Sequence, residues 1–103
     1  MTLYRAVCKD EYDATSATMR FHRNREKAFG TLDFVKRRVL DGRFNGSAFK
    51  PHRYTHLLRL DFDPHHEERF HKRGPTEWVV NVRRANFPYT ITKLGTVHDL
   101  KGS

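Results

Sequence analysis

The chain has 103 residues, 37% hydrophobic and 13% aromatic, with a net charge of +8 and a pI near 10.1. Eight Phe, four Tyr and one Trp supply buried area that the modest aliphatic content lacks, which argues against a disordered chain. A single cysteine, Cys8, excludes an internal disulfide, and no apolar run reaches transmembrane length.

This length suits one domain, 1–103, with 101–103 read as a tail. Charges as early as Arg5 and Lys9 predict that no signal peptide opens the chain, so a cytoplasmic protein without a membrane association is expected. The excess of Lys and Arg attracts polyanions: nucleic acid, a phosphate-bearing ligand, or an acidic protein.

Leu3 to Cys8 reads as a strand, with Leu3, Arg5 and Val7 on one face and Tyr4, Ala6 and Cys8 on the other. An arginine there can lay its stem on the core while the guanidinium seeks an anion; a strand-edge ion pair is the equal alternative. Lys9 to Asp13 predicts a helical turn, since Asp10 and Glu11 suit a first turn. Ala14 to Thr18 reads as loop, and Met19 to Arg23 as a brief strand. Asn24 then reads as an N-cap. Ala28, Leu32, Val35 and Val39 recur at spacings of four, three and four, which predicts one main helix over about 25–41. Lys36, Arg37 and Arg38 suit its last turn, and Gly42 its stop.

Gly42 to Pro51 reads as a loop with a turn at Asn45-Gly46. Tyr54 to Asp63 alternates as a strand that Pro64 ends. His65 to Lys72 is polar, with Phe70 expected to tuck inward. The stretch Gly74-Pro75-Thr76-Glu77-Trp78-Val79-Val80-Asn81-Val82-Arg83 reads as a strand entered from a tight turn. Trp78, Val80 and Val82 share one face, and Glu77, Val79, Asn81 and Arg83 the other. Asn86 to Pro88 reads as a turn and Tyr89 to Leu94 as a strand; Gly95 to Leu100 adds a last short strand through Val97. Helical elements precede most strands. The pattern predicts an α+β fold, a small antiparallel sheet packed against one main helix.

Several chemistries compete. Glu77 opens a core strand beside the only tryptophan, a place where a rigid strand fixes a catalytic carboxylate; pairing with an arginine is the plainer reading. His65, His66 and His71 lie close together, but the spacing is not a zinc spacing and no metal is expected. Cys8 lacks a defined partner for nucleophilic chemistry. Ribonuclease chemistry needs a base, an acid and cations at a phosphate, all of which the composition supplies without selecting a pair. Nucleic-acid binding asks only for basic residues among aromatics. Phe44 to Tyr54, with Lys50, His52 and Arg53, has that character, and Arg37 and Arg38 could meet phosphate as well.

Leu3-Tyr4-Arg5-Ala6-Val7 followed by Asp10-Glu11-Tyr12, then Phe21-x₆-Ala28-Phe29-Gly30, then an alternating strand, then the Glu77 strand, resembles in order the small bacterial ADP-ribosyltransferase-like domains. The resemblance implies an ADP-ribosyltransferase-like fold and transfer of ADP-ribose from NAD to a macromolecular target, as a toxin or phage-type effector. It implies that Arg5 binds NAD, that Tyr4 or Phe21 stacks on the nicotinamide, and that Glu77 is catalytic, stabilising the cationic sugar. Where arginine-type members carry serine-threonine-serine, this chain reads Met19-Arg20-Phe21-His22-Arg23, and Pro75 stands two residues before Glu77. The alternative is a non-catalytic small basic protein that binds nucleic acid or a nucleoprotein machine as an inhibitor. A ribonuclease toxin is the third reading.

Overall fold

The computed structural model describes residues 1–20, 26–40, 54–81 and 85–96. These residues build an α+β fold on a six-stranded antiparallel sheet. The strands are β1 (Thr2–Val7), β2 (Glu26–Gly30), β3 (His56–Phe62), β4 (His71–Lys72), β5 (Glu77–Asn81) and β6 (Tyr89–Thr96), in spatial order β4-β5-β2-β1-β3-β6. Helix α1 is Lys9–Thr18, helix α2 is Leu32–Leu40, and a 3-10 helix spans Pro64–Arg69.

Register assigns the two faces, because directly opposed residues share a face. Leu3 opposes Leu60, Arg5 opposes Leu58, Leu60 opposes Ile91, and Phe29 opposes Trp78. On this first face an aromatic cluster forms the main core. Phe62 stacks on Phe70 at 4.9 Å, and Phe87 lies 5.7 Å from Phe62 and 5.8 Å from Phe70. Thus aromatic burial replaces the missing aliphatics, each fully buried large side chain contributing about 1.5–3 kcal/mol. Helix α1 covers the other end of this face. Its Tyr12 hydroxyl accepts the Gly95 N–H at 2.9 Å, and Lys93 sits 3.9 Å over the Tyr12 ring.

The second face carries Tyr4, Ala6, Leu57 and Gly30, and α2 packs there in a cluster with Val35. Strands β2 and β3 flank β1 and run parallel to each other, so the connection through α2 crosses over β1. Two helices of similar length on opposite faces therefore replace the single main helix expected from the sequence.

That helix, expected over about 25–41, is β2 followed by α2. Gly30 explains the break. A side chain there would bring its Cβ 2.7 Å from Phe34 Cδ1 and 2.8 Å from the Thr76 carbonyl oxygen. Thr31 then starts α2: its carbonyl accepts the Val35 N–H at 3.0 Å, and its hydroxyl accepts the Phe34 N–H at 3.4 Å. The residues expected as loop, Ala14 to Thr18, instead extend α1. Thr15 is buried there, its hydroxyl bonded to the Glu11 carbonyl at 2.8 Å. Met19, expected in a strand, ends α1 with φ 51°, its N–H returning to the Thr15 carbonyl. Phe70 is buried as expected, at the end of the 3-10 helix. Expectations for Asn24, Asn45-Gly46, Val82 and Val97 lie outside the described residues.

The topology collects particular strand ends. Val7 pairs with His56, His56 with Thr96, and Glu26 with Asn81. Since β1 and β2 are antiparallel, the end of β1, the starts of β2 and β3, and the ends of β5 and β6 all lie at one end of the sheet.

Candidate functional site

Arg5 and Glu77, the two residues with the sharpest expected roles, lie on opposite faces. Tyr4 opposes Gly30, and Gly30 opposes Glu77, so Tyr4 and Glu77 share the second face. Arg5, next in the strand, projects to the first.

Arg5 meets α1. Its Nε and Nη2 donate to the two Glu11 carboxylate oxygens at 2.9 and 3.0 Å, and Nη1 donates to the Ala28 carbonyl at 3.1 Å. The paired bonds to one carboxylate are the strong planar form of this interaction. Lys27 opposes Val80 on β2 and brings Nζ to 3.7 Å from Glu11. Side-chain exposures of 14% for Arg5, 10% for Lys27 and 20% for Glu11 place all three away from bulk water. Burial pushes the Glu11 carboxyl up, but the Arg5 hydrogen bonds and charge, with Lys27, outweigh it and hold it below its ordinary 4.5.

These groups line a pocket between α1 and the sheet. Thr15, Arg20 and Arg59 complete its polar wall, and Phe29, Leu58, Leu60 and Ile91 its apolar floor. Thr15 stands one helical turn beyond Glu11 and so faces the same way. Among the described lining residues are four cations, Arg5, Arg20, Lys27 and Arg59, and one carboxylate, and Arg59 also pairs with Asp61 at 3.0 Å. The enclosed space is about 10 Å³, room for about one water molecule, while the volume including the open mouth is about 300 Å³. The enclosed part is far too small for a dinucleotide.

Glu77 begins β5 in a hairpin: the Arg73 N–H donates to its carbonyl at 3.0 Å, and Arg73 Nη1 lies 3.9 Å from its carboxylate. Across β2, Tyr4 is about 10 Å away by two inter-strand spacings. Phe34 and Val35 of α2 crowd the ground above Gly30 between them. Arg5, Tyr4 and Glu77 therefore do not converge on one cleft. Phe21, Lys50 and Arg53 lie outside the described residues. Arg37 is exposed on α2, and Arg38 follows it in the helix. Among the described residues no group of three or more His, Cys, Asp or Glu is placed to hold a metal ion. His66 instead stacks on Phe87 at 5.0 Å. No helix among them is long and apolar enough to cross a membrane.

Sequence reasoning found Arg5 but missed its partners. Glu11 reads as an ordinary first-turn acid, and Lys27 is hidden because a charged residue at an inward strand position breaks the alternation. The signal that was present is the short Lys27-x-Phe29 repeat ending at Gly30. Comparison with protein-family models, with curated proteins and with solved structures found no match to this chain.

Proposed function

We propose that this protein binds nucleic acid, free or within a nucleoprotein machine, without catalysis, and acts there as an inhibitor. The observation that carries the reading is the net charge of +8 and how it divides along the sequence. Segments 21–25, 41–53, 82–84 and 97–103 hold eight Lys and Arg against two Asp and Glu, so +6 of the net +8 belongs to them and +2 to the described residues. The strand ends bordering all four, at Glu26, His56, Asn81 and Thr96, lie at one end of the sheet. A strongly basic chain attracts polyanions, and a phosphate backbone is the partner such charge favours.

Substitution tests which segments carry the binding. Lys50→Ala/Arg53→Ala removes two cations from the basic segments; Arg59→Ala/Arg73→Ala removes two from the sheet body and its opposite turn. The first pair is expected to weaken oligonucleotide binding and to lower the salt slope by about two, the second to change either little. Equal effects from both pairs would refute the assignment of binding to the basic segments.

Transfer of ADP-ribose from NAD makes a different demand, since Arg5 and Glu77 would have to act on one molecule. Labelled NAD incubated with the protein and a bacterial lysate, beside Arg5→Ala and Glu77→Ala variants, separates the two readings. Label transfer by the parent alone would replace the binding reading with the transferase one. RNA cleavage resistant to metal chelation would replace it with the ribonuclease one.

A further inference from the structure

We infer that the outer edge of β6 pairs with the same edge of a second copy of this chain, joining two six-stranded sheets into one continuous sheet about a two-fold axis at Thr92. The two edges of the sheet differ. β4 closes one edge with two residues, whereas β6 forms the other with eight, Tyr89–Thr96. A long edge strand presents a row of backbone donors and acceptors that another extended strand matches.

The alternation of backbone bonds identifies the residues that present them. Met1 and Phe62 exchange bonds in both directions, so the N–H and C=O of Phe62 face β1, and by alternation those of Asp61 and Arg59 face β6. Asp61 opposes Thr90 and Arg59 opposes Thr92. The backbone groups of Thr90 and Thr92 therefore face β3, and those of Ile91 and Lys93 face outward. Among the described residues, no strand or other backbone group pairs with these outward groups.

The sequence of β6 suits pairing. From Tyr89 to Lys93 it holds no proline and a single charge, and that charge is turned away from the edge, with Lys93 Nζ 3.9 Å over the Tyr12 ring. The bulge at Leu94, between the Lys93 and Gly95 pairs, limits the regular stretch to Tyr89–Lys93. That stretch is its own complement. With the axis at Thr92, Ile91 lies against the partner's Lys93 and Lys93 against the partner's Ile91, two narrow pairs that form about four hydrogen bonds. Thr92 meets the partner's Thr92 at the closer position between them, where paired threonines are favourable. The lysines are not directly opposed in this register, whereas an axis one residue on would set them face to face. The charge of +8 on each copy opposes association, so the dimer tightens as salt screens it, the reverse of nucleic-acid binding.

The test is sedimentation equilibrium of the full chain, without nucleic acid, at about 0.1 and about 0.5 M salt. Thr92 is exposed, so Thr92→Lys and Thr92→Glu should both fold, which circular dichroism checks. The parent is expected to show a monomer–dimer equilibrium that tightens at the higher salt. Each variant sets like charges against each other across the axis and should weaken dimerisation at least about tenfold, and an equimolar mixture of the two should restore it. Thr2→Lys makes the same charge change at an exposed position of β1 and should dimerise like the parent. A parent that stays monomeric at both salts, a Thr92→Lys dimer as tight as the parent's, or a mixture that stays monomeric would overturn the inference. No nucleic acid is present, so such a failure removes the dimer and leaves the binding reading standing.

Discussion

Replacing Glu11 with Gln removes the carboxylate shared by two nearly buried cations and changes little else in shape. Gln can still accept from Arg5, but the carboxylate that balances Arg5 at 2.9 Å and Lys27 at 3.7 Å is gone. Breaking a buried ion pair from one side costs about 3–5 kcal/mol, and the retained hydrogen bond points to the lower end, about 3 kcal/mol. For a domain of this size that corresponds to a fall in Tm of about 12–24 °C. Since such domains are stable by only about 5–15 kcal/mol, the loss is a large share of the total. Circular dichroism melts in phosphate-free buffer measure it. The double variant Arg5→Met/Glu11→Leu removes the bidentate pair together and is expected to melt closer to the parent than Glu11→Gln does, because the Arg5 charge is no longer left buried without its carboxylate. A Glu11→Gln variant melting within about 3 °C of the parent would refute the claim that burial makes this cluster sensitive.

Glu11 also gives a pH dependence. Its folded pKa is held below the ordinary 4.5 after burial is outweighed by the Arg5 and Lys27 interactions, so its contribution is fully present above about pH 4.5. That contribution is lost as pH falls from there through the lowered folded value. Denaturant melts of the parent should therefore lose more stability between pH 5 and pH 3 than those of Glu11→Gln. Gly30→Ala should cost about 1–3 kcal/mol by overpacking. Adding Phe34→Ala should not rescue it, because the Thr76 carbonyl at 2.8 Å is backbone and cannot turn aside. Thr31→Ala should cost about 0.5–1 kcal/mol through loss of the α2 cap, read in the same melts.

Alternation over five or more residues made β1, β3, β5 and β6 legible, together with the inward faces of Leu3, Leu58, Leu60, Trp78 and Val80. Where two patterns compete, local reading chose wrongly. Ala28, Leu32, Val35 and Val39 fit one helical stripe, yet Gly30 must sit where α2 folds back on its own strand, a close approach that only tertiary packing reveals. Ala14, Thr15 and Ser16 have the composition of a loop, but Thr15 is buried against the sheet and its hydroxyl is satisfied within α1. For the site, the character of Arg5 as an arginine with a buried stem and an anionic partner was readable. The identity of that partner was not, because it depends on how α1 returns over β1. The separation of Arg5 from Glu77 follows from β2 lying between their strands, a non-local fact.

The salt dependence of oligonucleotide affinity tests the central claim most directly. If this protein engages about six phosphates, log K should fall linearly with log salt. The expected slope is about −5 on duplex and about −4 on single strands, with affinity dropping at least about a thousandfold on duplex between 50 and 200 mM salt. Affinity that stays constant over that range, or no binding even at the lowest salt, would contradict the account.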